Sequence, residues 1–201
     1  MNRQRFEAFS DGVFAIVATL LVLDIRVPVL RTMDSPSLWR ALFELWPTYL
    51  AYVTSFLVVG IYWLNHHSVS HHVRTFDRRL AWQNLLFLMA LAFIPFPTAV
   101  MAQYGEVPAA VLFYGFVLLL CALFGNAMWL YIIRSGYLDD GITRQDIRRA
   151  TRTYAAGAVI YVIAIALAFI APRVSIVLYA VMAGFYLFRG GLEQRGADIA
   201  T

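Results

Sequence analysis

Two carboxylates, Asp11 and Asp24, bracket an apolar run, and an arginine, Arg5, stands about a turn and a half before the first of them. About a dozen residues separate the acids, which at ~1.5 Å per helical residue is roughly 18 Å, well short of a ~30 Å hydrocarbon core. A spanning helix here must run from about residue 5 to residue 27, which carries Asp11 and Asp24 to membrane depth or close to it. A charged side chain at that depth costs on the order of 3 kcal/mol, so both acids must turn toward protein or water. The segment is therefore the best candidate in the chain for the wall of a polar path through an apolar medium.

Two other clusters carry titratable chemistry. His66, His67, His71 and His72 give pairs at i, i+4 and i, i+5 that could hold a metal if helical, although only Asp77 stands near enough to complete a set. Solvated interfacial histidines, able to titrate near neutral pH, are the simpler reading. Arg144, Arg148 and Arg152 repeat every fourth residue, but they share a polar segment with Asp139, Asp140 and Asp146. A voltage sensor would need them inside a span, so a solvated helix is expected. The chain has no nucleophile elbow, no HExxH and no phosphate loop, so no enzyme is expected, and neither a cofactor nor a metal.

The elements that must position these residues are spanning helices. Of 201 residues 61% are apolar, and the mean hydropathy is +0.69, far from the soluble average. The uncharged stretches predict an all-α integral membrane protein: one transmembrane domain over 1–201, with six helices near 5–27, 38–66, 80–104, 108–134, 150–171 and 173–189 and no soluble domain. The first is not expected to be a cleavable signal, since no small-residue cleavage site follows it. All 16 basic residues are arginine, and twelve of them fall on one side of this topology, Arg26, Arg31, Arg40 and Arg173 on the other. Both termini are thus expected in the cytoplasm. The net charge of +4 reflects topology, and nucleic acid is not an expected partner. Pro47 is placed to open the second helix, Pro95 and Pro97 to bend the third, and Pro108 to open the fourth. The lone Cys121 reads as core filler.

At about 100° per residue Arg5, Phe9, Gly12, Ile16, Leu20 and Leu23 share one stripe of the first helix, with Thr19 on its flank. Ser10 and Asp11 lie off it, toward neighbouring helices. An isolated apolar stripe usually packs against other helices. Short length and bracketing acids favour a second arrangement, in which copies of the stripe from several subunits form a hydrophobic constriction that gates ions by dewetting.

Arg5-x-x-x-Phe9-Ser10-Asp11, continued by Gly12-Val13-Phe14-Ala15-Ile16 and Thr19-Leu20-Leu21-Val22-Leu23, resembles the signature of the bacterial relatives of the endosomal and lysosomal potassium channel. The stretch from Trp63 to His67, Asn84, and Phe93-Ile94-Pro95-Phe96-Pro97-Thr98 extend the resemblance over the first hundred residues. It implies a potassium-preferring cation channel in a bacterial plasma membrane, a homotetramer whose first helices surround the pore. It implies also that Ile16, Leu20 and Leu23 form the constriction, with Thr19 contributing to K+ preference over Na+. Arg5, Phe9, Ser10 and Asp11 would be structural, tied to Trp63, His67 and Asn84, although His66 leaves open which histidine meets the motif. The Thr-Val-Gly-Tyr-Gly filter of other potassium channels is absent, so selectivity must come from side chains and pore width. The runner-up is a secondary transporter, for which the break at 94–97 is the single hint. A subunit binding quinone or haem near the histidines would rest on those histidines alone.

Overall fold

A computed structural model describes residues 3–198, with side chains described to residue 186. Among these residues every regular element is helical. α1 runs Arg3–Leu20 and tightens into a single 3-10 turn, Leu21–Asp24; α2 spans Ser35–Glu44, α3 Trp46–His71, α4 Arg78–Ala92, α5 Pro95–Tyr104, α6 Pro108–Arg134, α7 Arg144–Ala168 and α8 Pro172–Asp198. Five segments are long and apolar enough to cross a bilayer: Arg3–Asp24, Trp46–His71, Arg78–Tyr104, Pro108–Arg134 and Arg144–Ala168. The sixth expected span falls on α8, whose described side chains form an apolar stretch over Pro172–Tyr186. Arg189 and Arg195, used in the charge count, have side chains outside those described.

The first span ends at Asp24 rather than 27 and the second runs on to His71 rather than 66, and two further differences have a local reason. The segment expected as one helix over 38–66 breaks at Leu45. Asp34 accepts from the Ser37 N–H at 2.7 Å to start the short amphipathic α2, and Pro47 starts α3 afresh. The fifth span begins at Arg144 rather than 150, because Thr143 and Asp146 form a reciprocal capping box that draws the arginine segment into the helix.

The Ile94–Pro97 break separates α4 from α5. Pro95 and Pro97 lack the N–H groups that would bond the carbonyls of Leu91 and Phe93. The Ile94 and Phe96 N–H groups take those carbonyls at 3.0 and 3.2 Å in tightened turns. Thr98 Oγ1 donates to the Ile94 carbonyl at 2.8 Å and meets Ser55 Oγ at 2.9 Å, and Ser55 Oγ lies 2.9 Å from the Tyr114 hydroxyl, so the kink is hydrogen-bonded inside the core. α6 is the central post, burying Val111, Tyr114, Leu118 and Cys121 among α3, α4, α5, α7 and α8. It ends in a Schellman turn: Gly136 has φ +65°, the Gly136 N–H bonds the Ile133 carbonyl, and the Tyr137 N–H bonds the Ile132 carbonyl.

A second apolar cluster collects Phe6, Val69, Val73, Phe76, Leu80, Met128, Trp129 and Ile132. It gathers the start of α1, the end of α3, the start of α4 and the end of α6 at one end of the molecule. There the α3–α4 and α6–α7 loops are stitched by a Val73–Leu138 bridge, by Arg74 N–H to the Tyr137 carbonyl at 2.8 Å, and by the Arg74 guanidinium on Asp140 at 2.6 Å. Asp77 caps α4 through the Leu80 N–H at 2.7 Å and accepts from the Tyr131 and Tyr137 hydroxyls. The Tyr131 hydroxyl, then the Leu80 N–H, hold the Asp77 carboxyl below the usual carboxylate range.

Candidate functional site: the two faces of the first helix

The buried side of α1 is set by Phe6, Ser10, Phe14, Val17 and Leu21, spaced four, four, three and four residues apart, and it packs on α3 and α4. Phenylalanines one turn either side of Ser10 wall off a polar centre. Ser10 Oγ, fully buried, donates to the Phe6 carbonyl at 3.0 Å and accepts from Asn84 Nδ2 at 3.0 Å. Asn84 Oδ1 meets His66 Nε2 at 2.9 Å, and the His66 ring lies nearly parallel to Phe6 and Phe87, with centroids 5.8 and 6.0 Å away. Ser10, Asn84 and His66 thus form a satisfied polar chain through three helices, in surroundings where an unmet hydrogen bond is costly.

His66, not His67, occupies this chain. The buried face of α3 carries Ser55, Val58, Val59, His66, Val69 and Ser70, and His66 falls on it. His67, 100° further round, is exposed and instead stacks on Trp63 one turn before it, centroids 5.9 Å apart. Trp63 Nε1 donates to Asp11 Oδ1 at 2.9 Å, so Asp11 and Trp63 meet as a second tie, closer to the surface. Arg5 stands apart from both: it is exposed on the opposite stripe, as its angular position requires. His71 and His72 pack against each other at the end of α3, centroids 5.2 Å apart, away from His66.

The other side of α1 carries Arg5, Phe9, Gly12, Ile16, Thr19, Leu20 and Leu23, and every one of them is exposed. Ile16 is 60%, Leu20 42% and Leu23 70% exposed, in a chain whose own core is close-packed. The Thr19 hydroxyl donates back to the carbonyls of Ala15 and Ile16 at 3.1 and 2.9 Å, which fixes its rotor while its oxygen keeps acceptor capacity. Between the two faces, Asp11, Phe14, Ala18, Leu57, Gly60 and Trp63 line an apolar groove of about 600 Å³ along α1 and α3. Sequence reasoning missed the aromatic box of Phe6, Phe14 and Phe87 around His66; the four-residue spacing of positions 6, 10 and 14 was its available signal. It missed also the Asp77–Tyr131–Tyr137 junction, which joins residues too far apart in sequence to be read as a motif.

A first helix whose buried face is pinned to two others through a single serine and whose other face is exposed and mostly apolar, followed by a proline-kinked third span, defines a class of helical membrane proteins. A sequence model of the family described as "Endosomal/lysosomal potassium channel TMEM175" matches residues 5–95, the part that carries both faces. A protein of Streptomyces collinus named a potassium channel is 44% identical over 192 residues, covering 92% of this chain and 91% of its own length. The human protein named "Endosomal/lysosomal proton channel TMEM175" is 37% identical over 139 residues, 64% of this chain and 28% of its own. The crystal structure of a lysosomal potassium-selective channel TMEM175 homolog from Chamaesiphon minutus superposes with a TM-score of 0.84 at 36% identity, covering 93% of this chain and 97% of that one. The chain belongs to the TMEM175 family.

Proposed function

We propose that the protein is a potassium-preferring cation channel of a bacterial plasma membrane, built as a homotetramer with the four α1 helices around a central pore and both termini in the cytoplasm. The observation that carries the reading is the exposed stripe from Phe9 to Leu23 on a helix whose opposite face is anchored by buried hydrogen bonds. One such stripe cannot enclose a path, but several facing one axis can. Ile16, Leu20 and Leu23 then project apolar side chains that hold the pore dry when they close. Thr19 borders them with the one hydroxyl on that stretch, and its oxygen can face a partly dehydrated ion. The names borne by the full-length bacterial relatives support potassium as the permeant ion.

The groove beside Asp11 and Trp63 suits the α1 of a neighbouring subunit, which places these two residues next to the contact that holds the pore together. A secondary transporter gains nothing from the kink at 94–97, because the carbonyls freed by its prolines are bonded within the chain. The deciding experiment is reconstitution of the purified protein in liposomes loaded with potassium. Potassium efflux at channel rates without any coupled substrate, from particles that native mass spectrometry weighs as tetramers, is the expected result. Monomers or dimers without flux would refute the reading.

A further inference from the structure

The arginines at the start of α7 do not disperse into solvent. Arg144, Arg148, Arg149 and Arg152, all exposed, line one open groove of about 850 Å³, closed on its inner side by Thr153 and by Tyr186 of α8. No carboxylate is among its lining residues. The acid of the same turn, Asp146, is held by the Thr143 N–H and hydroxyl in the capping box and interacts with Arg149, and Asp139 and Asp140 lie beside Arg74, which leaves Arg148 and Arg152 as the groove's main charges. The helix end itself is therefore already occupied, and the positive charge of the groove comes from guanidinium groups reaching along two turns.

What lies next to the groove identifies its occupant. Below Arg148 and Arg152 the same face of α7 continues through Ala155, Ala156, Val159, Val162, Ile163 and Ala166, every one exposed. From Ala155 to Ala166 is roughly 16 Å, the hydrocarbon depth of one leaflet, half of a ~30 Å core. On α8, which packs on α7, Val174, Val177, Val181 and Phe185 are exposed as well. A cluster of guanidinium groups set directly above a leaflet-deep apolar strip matches a molecule that is anionic at one end and aliphatic at the other. We propose that this groove is a binding site for an anionic phospholipid of the leaflet on the arginine-rich side, its phosphate held by Arg148 and Arg152 and its acyl chains lying along α7. Arginine suits the role because its planar fork meets two phosphate oxygens at once. That leaflet is also where anionic lipids supply a negative surface for juxtamembrane basic groups.

The test measures lipid retention, which does not depend on ion flux. The full chain is reconstituted in nanodiscs of phosphatidylcholine mixed with phosphatidylglycerol, extracted with mild detergent, and weighed by native mass spectrometry. Wild-type protein should retain phosphatidylglycerol in preference to phosphatidylcholine, and R148Q/R152Q should lose that preference by on the order of tenfold. R31Q, in the loop at the far end, should keep it. Equal retention by R148Q/R152Q and wild type overturns the proposal. So does displacement of the lipid by millimolar inorganic phosphate, which would make the groove a site for free anions. A second measurement needs no variant: phosphatidylglycerol with a photoactivatable acyl chain should crosslink wild-type protein within 155–166, and crosslinks confined to other helices would overturn the assignment.

Discussion

Thr19 and Leu20 are neighbours on α1 with different expected duties, and their substitutions separate them. Leu20→Ala or Leu23→Ala removes apolar volume from the exposed stripe, so water should fill the constriction more readily and single-channel conductance should rise. Unchanged current in both variants at equal expression would move the gate elsewhere. Thr19→Val keeps shape and removes the oxygen now tied to the Ala15 and Ile16 carbonyls. Reversal potentials should then give a potassium-to-sodium permeability ratio that falls toward one while current persists. A steady ratio would leave Thr19 a packing residue and assign selectivity to pore width. The stripe was legible in the sequence because a helix converts spacing into direction with little error over four turns. The choice between His66 and His67 was not, since adjacent residues differ by 100° and only the packing of α3 against two other helices decides which of them points inward.

At the scale of elements, Asp77 is the residue on which two helices and a loop depend. It caps α4 and accepts from Tyr131 near the end of α6 and from Tyr137 beyond it, while Arg79 lies over the Tyr131 ring at 5.2 Å. A carboxyl held below its ordinary range contributes stability that is fully present above the unfolded value near 4 and is lost as pH falls through the native one. The melting temperature in detergent should therefore drop as pH is lowered below about 4. Asp77→Ala should lower it at neutral pH, the lost cap alone costing about 1 kcal/mol of stability, and should flatten the acid limb. Identical acid limbs in the two proteins would locate the titrating group elsewhere. Helix existence was readable from uncharged length, and the kink from its prolines. The α2–α3 break and the early start of α7 were not, because each rests on a short side-chain cap that competes with hydropathy over only a few residues.

For the whole molecule, the described chain is a core with one unfinished side. Its polar chains through Ser55 and through His66 meet their own hydrogen bonds in the interior, whereas in the proposed assembly the α1 stripe and the adjoining groove are completed by other copies. Asp11→Ala removes the acceptor of the Trp63 indole at the rim of that groove, leaving an N–H whose desolvation costs about 1–3 kcal/mol once a neighbour covers it. The expected outcome is a smaller tetramer fraction in native mass spectrometry, with permeation of the surviving tetramers little altered. Normal assembly with altered selectivity would instead make Asp11 part of the ion path. Subunit number was beyond the reach of residue spacing, since symmetry belongs to a surface shared between chains.

The hydrogen bond between Ser10 and Asn84 joins residues 74 positions apart, and α1 leaves the ribosome first. At roughly 5–20 residues per second, α1 waits on the order of 4–15 s for the partner that satisfies it. During that interval its Ser10 and Asp11 lack the partners that later hold them, which weakens the segment's hold on the bilayer on its own. It must stay beside the insertion machinery, or slide back toward the aqueous side, until α3 and α4 arrive to hold it. A nascent chain stalled before Asn84 should thus leave α1 extractable by alkaline carbonate, and one stalled after α4 has emerged should not. The polar face that anchors the finished helix also sets the order in which the membrane can accept it.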